Sequence, residues 1–247
     1  MSAPQYCHAK SDENHWNYLR KNLLLGSAFE SVWCRHLILE APCVWQVKLT
    51  SGQEVPSHSF ESTTVLIMTY GSLAIEGEHD FEAGDVRWAH GGVVAGGARA
   101  SSTGAIFYLV GMEGSPCAKI QKLSTTSDPS RKWQRQSPHA LPWGEVAMGE
   151  HVAPPGRSCN LCPDGPSVTL LEFDPNCVIQ PHSHPGNIVY IMLKGHMRVP
   201  EEGVYHEGDL RWGAKDFAYG PEVMGPLGCR MIAIQKDEPL GVNWSDE

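Results

Sequence analysis

Val189-Tyr-Ile-Met-Leu-Lys-Gly195, followed by Gly208-Asp-Leu-Arg-Trp212, has an earlier counterpart in the same chain: Val65-Leu-Ile-Met-Thr-Tyr-Gly71, followed by Gly84-Asp-Val-Arg-Trp88. Four of seven residues agree in the first pair and four of five in the second, and both pairs stand 124 residues apart. With no gap, the same offset pairs His58 with His182 and lays Ala105-Ile-Phe-Tyr-Leu109 on Cys229-Arg-Met-Ile-Ala233. One register kept over roughly fifty residues marks an internal duplication. Twice 124 nearly equals the 247 residues present, so most of the chain is two copies of one unit.

Each copy reads as short β-strands separated by Gly, Pro, Asp and Asn. In the second copy strands are predicted over 168–173, 188–193, 196–199, 210–212 and 230–235; in the first, over 44–49, 65–69, 73–75, 86–88 and 106–110. Regular short strands of this kind predict an all-β sandwich or barrel that closes its own edges. The polar stretch 123–138 has no sustained period and is read as a linker between a domain over 1–122 and one over 139–247. A helix is predicted near 14–29, ahead of the first copy.

Composition narrows the function classes. Lys plus Arg is 19 against 28 Asp plus Glu, a net charge of −9, the wrong sign for binding a phosphate backbone; nucleic acid is not an expected partner. No apolar run reaches the roughly 20 residues needed to cross a bilayer, and the opening residues lack a basic segment followed by an apolar one. The expectation is a cytoplasmic protein with no membrane contact. Eight Cys in a chain this long are sparse beside disulfide-stapled proteins and read as reduced thiols. Cys159-Asn-Leu-Cys162 has the spacing of half a zinc site or a redox pair, but no second half and no βαβ setting accompany it.

The sharpest local feature is Pro181-His-Ser-His-Pro-Gly186. In an extended strand, residues i and i+2 share a face, so His182 and His184 can present two imidazoles to one metal ion. The pair directly precedes the apolar strand that ends at Gly195, and Gly208-Asp209 follows at a turn.

PNCVIQPHSHPGNIVYIMLKG followed by GVYHEGDLRWGAKDFAYGP resembles the two motifs of the cupin superfamily, and the repeat makes the resemblance that of a bicupin. GVYHEGDLRW, YGP and the later Gly-Cys resemble the cupin domain of the ChrR-like anti-sigma group. His-Pro-Gly before an apolar strand resembles the acetylacetone and dihydroxyacetophenone dioxygenases, cupins with a three-His metal site. The resemblance covers about 44–111 and 146–237. It implies two tandem jelly-roll barrels (double-stranded β-helices) and a homodimer. It also implies a divalent ion held by His182 and His184: Fe(II) first, with Zn(II), Ni(II) and Mn(II) as other fits.

The chain departs from the family pattern. Seven residues before Gly195, where the family carries a Glu ligand, stands Ile188, with Asn187 beside it; eleven residues after Gly208, where the last His belongs, stands Tyr219. Tyr219 as phenolate, Asn187, His196 or His206 would have to complete a metal site. Tyr219 is the candidate catalytic residue, as ligand or proton donor, and Ile188, Tyr190 and Met192 are the candidate apolar substrate wall. In the first copy Phe60, Thr64 and Ala95 stand for the second His, the Glu and the last His, with His58 alone kept, so that copy is expected to bind no metal and to serve as scaffold. Two functions follow. One is a metal-dependent dioxygenase-like oxidoreductase acting on a small carbonyl compound in the second barrel; the other is a non-catalytic ligand- or metal-sensing module of the ChrR kind.

Overall fold

The computed structural model describes residues 6–10, 16–19, 25–29, 32–122, 133–146, 154–236 and 240–244. They form two compact units, one over His15–His139 and the other joining Met1–Asn14 to Ala140–Glu247.

In the first unit the main sheet runs Trp133–Gln136, Val86–Ala89, Thr64–Ile75, Ala98–Gly111, Cys43–Leu49, Val32–Ile38, Asn17–Leu19. In the second it runs Tyr6–Ala9, Leu210–Gly213, Ile188–Val199, Glu222–Gln235, Ser167–Phe173, Gly156–Asn160, Gly144–Glu145. The order is the same, and every pairing along it is antiparallel. The duplication read from the sequence is therefore a duplication of topology. The separate strands predicted at 65–69 and 73–75, and at 188–193 and 196–199, are single twelve-residue strands, Thr64–Ile75 and Ile188–Val199. Each bends at the glycine that, in the sequence alone, suggests a break: Gly71 has φ +70° and Gly195 φ +75°. At Gly195 a Cβ would lie 2.2 Å from the Gly228 carbonyl oxygen, so the bend brings two backbones closer than any side chain allows.

Two expectations are corrected. Within the described part of 14–29 there is no helix: Asn17–Leu19 is a strand along Val32–Cys34, and Ser27–Phe29 is one 3₁₀ turn. Pairing with the edge of Val32–Ile38 overrides the local helical pattern. The end of the expected linker is also a strand, Trp133–Gln136 along Val86–Ala89; residues 123–132 lie outside the described residues. Chain order places Tyr6–Ala9 in the first domain, whereas in the structure this strand pairs along Leu210–Gly213 of the second unit.

Alternating side chains of the long strands fill each interior. The first unit's core includes Trp45, Met68, Leu73, Phe81 and Phe107. The second holds Ile188, Tyr190, Met192, Met197, Tyr205 and Tyr219, so the three residues expected to wall a pocket do point inward. Cys159 and Cys162 are both buried, and burial pushes both thiols up, away from the thiolate that redox or zinc chemistry needs. No helix among the described residues is long and apolar enough to cross a membrane.

Candidate metal centre

The strand His182–Ser183 pairs with Asn243–Trp244, and an isolated bridge joins His182 to Tyr219. These contacts fix the backbone on both sides of the His-Ser-His segment. Each imidazole is then oriented by a carbonyl: His182 Nδ1–H donates to Gln180 O at 2.8 Å, and His184 Nδ1–H to Gly241 O at 2.5 Å. Donation from Nδ1 leaves Nε2 of both rings as a lone-pair acceptor. Burial holds both histidines neutral, His182 lowered to about 4 and His184 to about 3, with the Arg211 charge adding to the effect on each.

Both lone pairs aim at the Tyr219 hydroxyl, at 3.1 Å from His182 and 2.9 Å from His184. The Tyr190 hydroxyl completes the group, 2.9 Å from His184 Nε2 and 2.8 Å from the Tyr219 oxygen. All four side chains are buried. Burial raises both phenols above their ordinary range. Four close contacts thus share two phenolic protons, because neither Nε2 carries one. Two contacts bring lone pair against lone pair, which costs free energy unless a cation sits among them.

Beneath the cluster lies Arg211, fully buried, its Cζ 3.6 Å from the Tyr219 ring centroid. Glu202 holds it through two bonds of 2.7 Å. Burial opposes its charge, but Tyr219, Glu202 and Glu222 outweigh that, so it stays protonated. Among the described residues its Nη1 has no hydrogen-bond partner, nor has Oε1 of the buried Glu222. Burial raises Glu222 to about 7, with Arg211 pulling the other way. From the surface, a cleft of about 250 Å³ lined by Tyr6, Pro181, Glu202, Phe217 and Tyr219 reaches this group.

Residues 134–229 match the family model of the ChrR Cupin-like domain. A candidate dioxygenase of Nostoc punctiforme PCC 73102 superposes with TM-score 0.76 at 16% identity, over 98% of this chain and 88% of that one. A mutant of Bacillus subtilis oxalate decarboxylase superposes with TM-score 0.64 at 15% identity, over 98% and 79%. The chain has the fold of a bicupin. No curated protein matches it in a sequence search. Another B. subtilis oxalate decarboxylase structure, with TM-score 0.60 at 15% identity over 98% and 79%, is described for its Mn(II) centres.

Among the described residues, no three His, Cys, Asp or Glu side chains converge to hold a metal. The fit to an ion rests on the phenols. Donors about 2.1 Å from one octahedral ion stand roughly 3 Å apart along each edge, and the four contacts here measure 2.8 to 3.1 Å. The donor set, two imidazole nitrogens and two phenol oxygens short of protons, fits a metal cation.

The structure brings together His182, His184, Tyr219 and Tyr190. Ile188, at the Glu position by count, is packed apolar core, and Tyr190, one inward position further along the strand, brings oxygen to the histidines instead. Asn187 Oδ1 accepts from the Lys215 backbone N–H, and His196 pairs across the strands with exposed His206. Sequence reasoning missed Arg211, Glu202 and Glu222, although Glu78 and Arg87 stand 124 residues before Glu202 and Arg211 and form the same buried ion pair. An acid and a base kept at matching positions in both copies was the available signal.

Proposed function

We propose that the second barrel is a metal centre and that the protein is a metal-dependent oxidoreductase of the dioxygenase type, acting on a small carbonyl compound. The carrying observation is the cluster of four contacts that share two protons. His182 Nε2 and His184 Nε2 would hold the ion, with Tyr219 and Tyr190 supplying oxygen, and iron is the metal that suits imidazole together with phenolate. A bound iron would supply dioxygen activation and open positions for substrate oxygens. Arg211, its positive charge 3.6 Å from the Tyr219 ring centroid, pulls toward the phenolate against the burial that raises this phenol. Substrate would approach by the cleft at Tyr219 and Glu202, with Ile188 and Met192 excluding water from the inner side.

The second reading, a ligand-binding module, is favoured by the match of residues 134–229 to a ChrR Cupin-like domain. Elemental analysis with visible spectroscopy separates the two. The purified protein, loaded with iron in air, is expected to hold about one iron per chain and to show a phenolate-to-iron charge-transfer band. His182→Ala should lose at least tenfold in metal affinity, and Tyr219→Phe should lose most of the band while keeping the near-UV spectrum of the fold. Failure to retain Fe, Mn, Ni or Zn would overturn the metal centre and leave the binding module.

A further inference from the structure

The second unit carries another pair of imidazoles, at its surface. His196, half-buried, stands directly opposite exposed His206 in the antiparallel pairing of Ile188–Val199 with Gly203–His206. The first unit is an internal comparison. At the 124-residue offset it pairs Ser72 with Glu82 on the equivalent strands, and Ser101 stands where the second unit has Gly225. Ser72 and Ser101 line one surface groove, so these positions are neighbours in space. Three adjacent positions therefore differ together: a serine and a glutamate give way to two histidines, and a serine gives way to a glycine.

That glycine seats one of the rings. A Cβ on Gly225 would lie 2.4 Å from Cε1 of His196 and 2.7 Å from both ring nitrogens. Equal distances to the two nitrogens mean that the ring lies face-down on the Gly225 backbone, so its nitrogens point along the sheet surface. Any larger residue would lift the ring from this position. The backbone under the other ring is also fixed, because the His206 N–H donates to Asp209 at 2.9 Å.

The ring centroids are 5.8 Å apart, with the planes at 46°. Two imidazoles on one tetrahedral ion, with nitrogen about 2.1 Å from the metal, hold their centroids roughly 5.2 Å apart, so a small rotation of exposed His206 brings the pair onto an ion. We infer that His196 and His206 form a second metal site, open at the surface, for a divalent ion that prefers imidazole: Zn(II), Ni(II) or Cu(II), with water in the remaining positions. The site uses no residue of the buried donor set, and its two ligands clip the strands Ile188–Val199 and Gly203–His206 together.

The test uses the full chain without a tag, titrated with Zn(II) at neutral pH while long-range ¹H–¹⁵N NMR follows the histidine rings. His196 and His206 are expected to shift along one curve that saturates at one ion per pair; the buried centre is read separately through the resonances of His182 and His184. Two ligands of one chelate act as a unit, so His196→Ala and His206→Ala should each weaken Zn(II) binding at this site at least tenfold, and the double variant should lose little more. Arg198→Glu replaces an exposed cation two residues along the same face with a carboxylate and should tighten binding severalfold. His206→Gln, at an exposed position, carries the test if His196→Ala does not fold: it should abolish the response of the His196 ring. Three outcomes would overturn the site: only one of the two rings responds, the shifts do not saturate, or the losses of the single variants add in the double variant as they would for two unrelated surface histidines.

Discussion

Glu222 is 2% exposed, and the unpartnered Oε1 leaves its charge poorly compensated. Its pKa, raised by burial to about 7 from the ordinary 4.5, makes folding depend on pH. Below 4.5 both folded and unfolded chains hold this proton. Between 4.5 and 7 the unfolded chain has released it and the folded chain has not, so stability from this group falls as pH rises and levels off above 7. Glu222→Gln keeps the shape without the charge. It is expected to match the wild type in urea unfolding at about pH 4 and to exceed it by roughly 3 kcal/mol at about pH 8. An equal difference at both pH values would assign the effect to packing. At this scale the sequence is informative where motif counting applies: His182, His184 and Tyr219 all emerge that way. It is silent on depth. Strand alternation places Tyr190 on the inward face, but only the structure shows that its hydroxyl reaches 2.9 Å from His184.

The strands are legible because alternation and punctuating glycines are local properties. Their continuity is not, since whether a glycine ends a strand or bends it depends on what lies opposite. Gly71 and Gly84 separate two roles of a positive φ in the first unit. At Gly84, with φ +97°, a methyl group would have no described atom within 4 Å, so alanine there meets only the backbone cost. Gly71, at φ +70°, would place a Cβ 2.0 Å from the Gly104 carbonyl oxygen, and alanine must also push two strands apart. Gly84→Ala is expected to cost about 1 kcal/mol and Gly71→Ala at least about 3 kcal/mol in denaturant unfolding. Equal costs would mean that the bend in Thr64–Ile75 is not held by this close approach. The same pairing, Gly195 over Gly228, shapes the strand that carries Tyr190 toward His184 and Tyr219.

For the whole molecule, the repeat is legible as a duplication but its edges are not. Each main sheet ends on a strand that lies, in the chain, just ahead of the other copy: Tyr6–Ala9 completes the second unit and Trp133–Gln136 the first. Long-range pairing of this kind leaves no mark in local composition, which is why 123–138 reads as linker. Both edge strands are latched on the Asp of a repeated Gly-Asp turn, His8 to Asp209 at 3.3 Å and Arg135 to Asp85. His8 also lies against the Tyr205 ring, tilted by 37° with centroids 4.0 Å apart, and the Tyr205 hydroxyl donates to Glu202, the carboxylate that holds Arg211 beneath Tyr219. Deleting residues 1–9 therefore strips a sheet edge and one support of the candidate metal centre together. The expected loss is roughly 2 kcal/mol, from a few ladder hydrogen bonds at about 0.5–1.5 kcal/mol each. Hydrogen exchange should accelerate along Leu210–Gly213 while protection along Val86–Ala89, covered by its own edge strand, stays as in the intact chain. Faster exchange at Val86–Ala89 instead would show that the amino-terminal strand supports the first unit, against the pairing seen here.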